Sequence, residues 1–238
     1  MPSRRLPNSV PAVIRTLKTA RDTWKNTSNP ADRAITAEQW AQLDDADPNS
    51  LLNRFLKEAS DVDLAQAAQA PLTTQVAQAG ARLTMFVSHF HQVLDLGITR
   101  GAFAVGARSY YGRDINAGAI PDLSTYDAVE EAAEKIVTGE AARMTAEDGD
   151  FPAMAPPSAG EVQGLATQFH TLRTQSQSAQ VNTDIQREEL SALYPAAQAL
   201  AVDVCDNVKF FYRLPAGQRR QAKTPMPPAA APKPPAGA

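Results

Sequence analysis

The stretch LTTQVAQAGARLTMFVSHFHQV, residues 72–93, decides how the chain is read. Its apolar side chains fall at Leu72, Val76, Ala79, Leu83, Phe86, Phe90 and Val93. The steps alternate four and three. That is the a/d heptad, which lays one stripe along an α-helix packed at a shallow angle on its neighbours. A half-buried strand would need period two, and no part of the chain sustains alternating β-branched residues. The spacing predicts a long helix over 72–111, carried on through GITRGAFAVGARSYYG, where Gly97, Gly101 and Gly106 permit close approach or a bend.

The same stretch holds two of the three histidines, His89 and His91, around Phe90. Residues two apart on a helix point about 200° apart, so these two rings cannot share one ion. The expectation is that Phe90 fills the seam and both imidazoles flank it, half exposed, with Asp95 one turn from His91. His170 follows Phe169 in a second long helical segment and could approach the pair if the two helices packed face to face.

Moving outward, helix starts recur. Ser9 can cap a segment with Pro11 in its first turn, Thr36 and Gln39 have capping-box spacing, and Asp47 precedes Pro48 and the run Leu51, Leu52, Phe55, Leu56. Pro71 is read as a break before the heptad. Further on, RDINAGAIPDL is a loop, Ser124 and Asp127 have capping-box spacing, and Ser158 and Glu161 open the second long helix, which Pro195 kinks or divides. The fold expected is all-α: an elongated up-down helical bundle with two long helices. Its parts are an N-terminal bundle portion over 1–145, an acidic and Pro-rich linker over 146–160 and C-terminal helices over 161–213. A basic Pro/Ala-rich tail over 214–238 is read as disordered, because six prolines in its last fourteen residues forbid helix and sheet.

Composition agrees. Hydrophobic residues are 43% of 238, enough for a sizeable core, and aromatics only 6%, which suits alanine-rich helices. A formal charge of −3 is not that of a nucleic-acid binder as a whole. The charge is nonetheless segregated. Arg4, Arg5, Arg15, Lys18, Arg21 and Lys25 face only Asp22 in residues 1–30, acids crowd residues 122–150, and residues 207–238 carry no acid. The lone Cys205 can form no internal disulfide and fits a reducing compartment or simple indifference to redox, and no apolar run reaches the roughly 18 residues of a membrane span. A cytoplasmic location is expected.

No constellation for chemistry emerges. Glu130, Glu131 and Glu134 lack the Glu-x-x-His of di-metal bundles, Asp203 and Asp206 beside Cys205 disfavour a thiolate, and no phosphate loop or nucleophile elbow is present. No catalytic residue, metal ligand or cofactor is assigned. The expected function is therefore that of a non-enzymatic structural or interaction protein, self-associating through apolar helix faces. Two alternatives stand beside it: a nucleic-acid or polyanion accessory protein, and a helical metalloprotein using its histidines. Candidate partner-binding residues are Tyr110, Tyr111, Arg113, Phe210, Tyr212 and Arg213, where aromatics sit beside arginines at helix ends. Arg219, Arg220 and Lys223 of the tail complete the set, for an acidic protein surface or nucleic acid.

Overall fold

A computed structural model describes residues 7–28, 32–116, 119–146 and 154–213. The tail, with Arg219, Arg220 and Lys223, and residues 147–153 of the expected linker lie outside the described residues. Among the described residues every regular element is helical: α1 (Val10–Asn26), α2 (Ala37–Ala41), α3 (Leu51–Thr99), a 3-10 segment (Val105–Tyr111), α4 (Tyr126–Ala146) and α5 (Ala159–Arg213). No helix among the described residues is long and apolar enough to cross a membrane. The all-α fold and the two long helices match expectation.

The chain divides into two compact units. One joins the residues up to Leu64 with those from Asp184 onward, and the other is Ala65–Thr183. The first is built on Val13 and Leu17 of α1, Leu52 and Phe55 of α3 and Ala197, Ala201 and Val204 of α5. The amides of Gln198 and Asn207 fasten α5 to the Pro7 carbonyl (3.0 Å) and the Gln39 side chain (2.9 Å). The second unit packs Leu83, Val87, Phe90 and Leu94 of α3 against Tyr111, Ile136 of α4, and Val162 and Phe169 of α5. Each long helix thus contributes a stripe to both cores.

Helix boundaries depart from the sequence reading in three instructive places. First, α3 starts at Leu51 and runs straight through Pro71, and α5 likewise contains Pro195. A proline removes the donor for the carbonyl four residues back. Those carbonyls belong to Ala67 and Ser191, and both residues are exposed, as are both prolines, so water can take the vacant acceptor. Second, α3 ends at Thr99 and does not reach Tyr111. Gly101 adopts φ +75°, its amide donates to the Ile98 carbonyl at 3.0 Å, and the Ala102 amide donates to the Gly97 carbonyl at 2.9 Å. These two bonds are the Schellman stop. Third, α4 is capped by the Thr125 hydroxyl, which accepts from the Ala128 amide at 3.2 Å, while Ser124 is bonded to Asp122.

The other capping boxes form as spaced. The Thr36 side chain accepts from the Gln39 amide at 3.2 Å and Gln39 returns the bond, and Ser158 and Glu161 do the same. Nothing lies within 4 Å of a Cβ added at Gly101. Gly101→Ala is therefore expected to cost only the left-handed backbone, about 1 kcal/mol, read as a shift of the urea midpoint at unchanged slope.

Candidate functional site

Two places in the described structure concentrate unusual side chains, one in each unit. In the first unit an open groove of about 310 Å³ lies between α1, residues 32–35 and the last turns of α5. Its α1 wall carries Thr16, Thr19, Thr23 and Thr27 at steps of three, four and four. Each hydroxyl donates to the carbonyl four residues back, at 2.7–2.9 Å. These threonines have spent their donors on their own helix and line the groove without offering them. Ile35 and Val204 are buried at its floor, and Cys205 and Val208 stand beside them.

Trp24 closes one side of the groove. It stacks on Trp40 with centroids 5.4 Å apart and planes 10° from parallel. The Arg33 guanidinium lies 4.6 Å from the Trp24 ring centre, held by an Nε–H bond to the Thr27 carbonyl at 3.3 Å. Arg15, exposed on α1, makes no ion pair among the described residues. Its helix neighbours Arg21 and Lys25 are taken by Asp22 at 2.8 Å and Asp45 at 2.6 Å.

The second unit contains a buried polar cluster. Glu140 of α4 accepts from the Tyr111 hydroxyl in a very short bond, from Arg143 at 3.1 and 3.0 Å, and from the Met154 amide at 3.1 Å. Arg143 is fully buried and lies 5.1 Å from the Phe103 ring centre. Burial pushes the Glu140 carboxyl up, but these donors outweigh it and hold the group below its ordinary range. Burial and the adjacent carboxylate push the Tyr111 phenol far up, so it stays protonated. Close by in sequence, Asp95 accepts from Arg108 at 2.8 Å and from Arg113 at 2.9 and 3.1 Å, which keeps it ionised against its own burial.

His91 is the exception. It is 1% exposed, and neither ring nitrogen has a hydrogen-bond partner. Burial first, and then the Arg113 charge, bring its pKa down to about 4, so it is a neutral imidazole at pH 7. The half-exposed ring expected at this position is thus corrected: only His89 is exposed, and Asp95 is occupied by arginines. Phe90 does fill the seam, fully buried and edge-on to Tyr111 at 5.1 Å. His170 is bound to Glu130 at 3.3 Å. Among the described residues no three His, Cys, Asp or Glu side chains gather as a metal site.

No protein-family model, no curated protein and no solved structure matches the chain. Function rests on the side chains themselves. Of the residues singled out for partner binding, Tyr111 and Arg113 are turned inward with the bonds just given, and Tyr110 is half-buried. Phe210, Tyr212 and Arg213 are exposed at the end of α5, around a buried Phe211. Glu140, Arg143 and the groove were not singled out. Arg143 continues the apolar spacing Val129, Ala132, Ala133, Ile136, and an arginine on that stripe was the available signal.

Proposed function

We propose that the chain is a non-enzymatic helical interaction protein that associates with a second copy of itself through the aromatic end of α5. The observation that carries this reading is the exposure of Phe210 and Tyr212, 60% and 57%, on either side of Phe211. Large aromatic rings this exposed on the final turn of a helix suit a surface that another surface covers, and aromatic side chains are enriched at such contacts. Arg213, next to them, supplies the flanking polar rim. The perturbed groups of the second unit support a non-catalytic role, since Tyr111, Glu140 and Arg143 satisfy one another, with Tyr111 and Arg143 buried and Glu140 half-buried. A single thiol with no disulfide partner suits a reducing compartment, so we place the protein in the cytoplasm.

Light scattering of the full chain at tens of micromolar tests the reading. A dimer mass is expected, and Phe210→Ser with Tyr212→Ser is expected to raise the dissociation constant more than tenfold, the equivalent of about 1.4 kcal/mol. A wild-type monomer throughout that range would end it.

A further inference from the structure

We infer that the groove of the first unit is a binding site for a small amphipathic anion, an apolar chain or ring system ending in a carboxylate. The inference is separate from self-association, although Tyr212 both lines the groove and belongs to the exposed end of α5. Ligand pockets of this kind are concave, mainly apolar, and carry few polar groups that fix one end of the ligand. The groove meets each condition. Its volume of about 310 Å³ is that of about ten liquid waters, which an apolar molecule of about a dozen non-hydrogen atoms can fill. Its floor is Ile35 and Val204, and its threonine wall offers methyl groups because the hydroxyls are bonded to their own helix.

Charge decides which end group is taken. Arg15 and Arg33 both line the groove, and Asp32 is the only acid among the lining residues. Asp32 is already engaged within the chain. Arg33 uses Nε for the Thr27 carbonyl, and its two terminal nitrogens make no hydrogen bond among the described residues. The contact with the Trp24 ring and the bond from Nε restrain that guanidinium, which cuts the ordering needed to receive a carboxylate. A cationic end group would meet two like charges, and a neutral one would leave both guanidinium groups unused.

The chain carries its own reporters. Cys205, the only cysteine, lines the groove, and the only two tryptophans are the stacked pair at its side. Decanoate, decanol and decylamine are titrated below their micelle-forming concentrations into the full chain. Maleimide labelling of Cys205 and tryptophan emission are followed. Decanoate is expected to slow labelling saturably and to shift the emission, with decanol at least about tenfold weaker and decylamine weaker still. Arg15→Glu, a change at an exposed position that leaves the core intact, is expected to abolish the preference for decanoate over decanol. Absence of protection by decanoate would overturn the proposal, as would equal protection by decanol. Protection that grows with protein concentration and ignores decanoate would also overturn it, because a second copy would then cover the groove.

Discussion

Glu140→Leu is expected to cost the second unit about 3–5 kcal/mol, the largest effect of any single change we consider. Four donors converge on this carboxylate: the Tyr111 hydroxyl, two nitrogens of Arg143 and the Met154 amide. Leucine fills the space but accepts nothing. Arg143, fully buried, would lose this counter-charge in a medium that solvates a cation poorly. Glu140→Gln keeps the shape and one acceptor oxygen while removing the charge, so it should cost less, about 1–3 kcal/mol. The sign of the acid response follows from the lowered carboxyl. Its contribution is fully present above the ordinary pKa of 4.5 and fades as pH falls below that value toward the folded one. Urea titrations followed by far-UV circular dichroism at pH 7 measure both variants. A leucine variant within about 0.5 kcal/mol of wild type would show that the cluster contributes nothing net.

The heptad at 72–93 correctly announced a helix, and Val76, Leu83 and Phe90 are buried as it requires. The buried stripe is broader than an a/d seam, however. It includes Gly80, Val87, His91 and Leu94, because this part of α3 packs on α4, α5 and the 3-10 segment together. A helix with several neighbours buries a wide face, and single-stripe spacing understates it. The stop at Gly101 was legible in principle, since Arg100, just past the last helical residue Thr99, is followed by glycine, and glycine after the last periodic residue is a C-terminal signal. The apolar residues beyond it, Phe103 and Val105, kept the pattern alive past its end. Pro71, read as a break, misled in the opposite direction. Whether a proline ends a helix depends on whether the orphaned carbonyl can reach water, and that is a property of the folded environment.

The candidate sites were less legible for a similar reason. Aromatics beside arginines pointed equally to 110–113 and to 210–213, yet Tyr111 and Arg113 find Glu140 and Asp95 while Phe210 and Tyr212 remain exposed. Pairings such as Tyr111 with Glu140 join residues 29 apart in the chain, and local spacing carries no trace of them. Gly139 shows what makes the first pairing possible. A Cβ there would run into the Tyr110 carbonyl, so the bare backbone lets the 3-10 segment lie directly on α4. The groove is likewise assembled from α1, the segment after it and the far end of α5, three pieces whose meeting no local pattern records.

Between pH 6.5 and pH 4 the second unit is expected to lose about 3 kcal/mol of stability through His91 alone. The ring titrates at about 4 in the folded chain against 6.5 ordinarily, a difference of 2.5 pH units worth about 1.4 kcal/mol each. Because the ring is 1% exposed, solvent screening does not reduce the figure much. A lowered folded pKa means that the unfolded chain binds the proton first. The stabilisation is complete above 6.5 and drains away as pH falls toward 4. Two charged groups set this value besides burial: Arg113 opposes the imidazolium, and Asp95 favours it but is held by Arg113 and Arg108. The carboxylates Glu140 and Asp95 act below their ordinary values of 4.5 and 3.8, so the part of the window above 4.5 belongs to the imidazole. His91→Leu should flatten the slope there and also raise stability at pH 7 by about 1–2 kcal/mol, because it removes a buried donor and acceptor that have no partners. His89 and His170 remain in the variant, so the difference between the two urea-midpoint curves isolates this one ring. Parallel curves from pH 7 to pH 4 would mean that His91 is solvated or bonded, and would overturn the placement of a neutral, unpartnered imidazole beside Phe90.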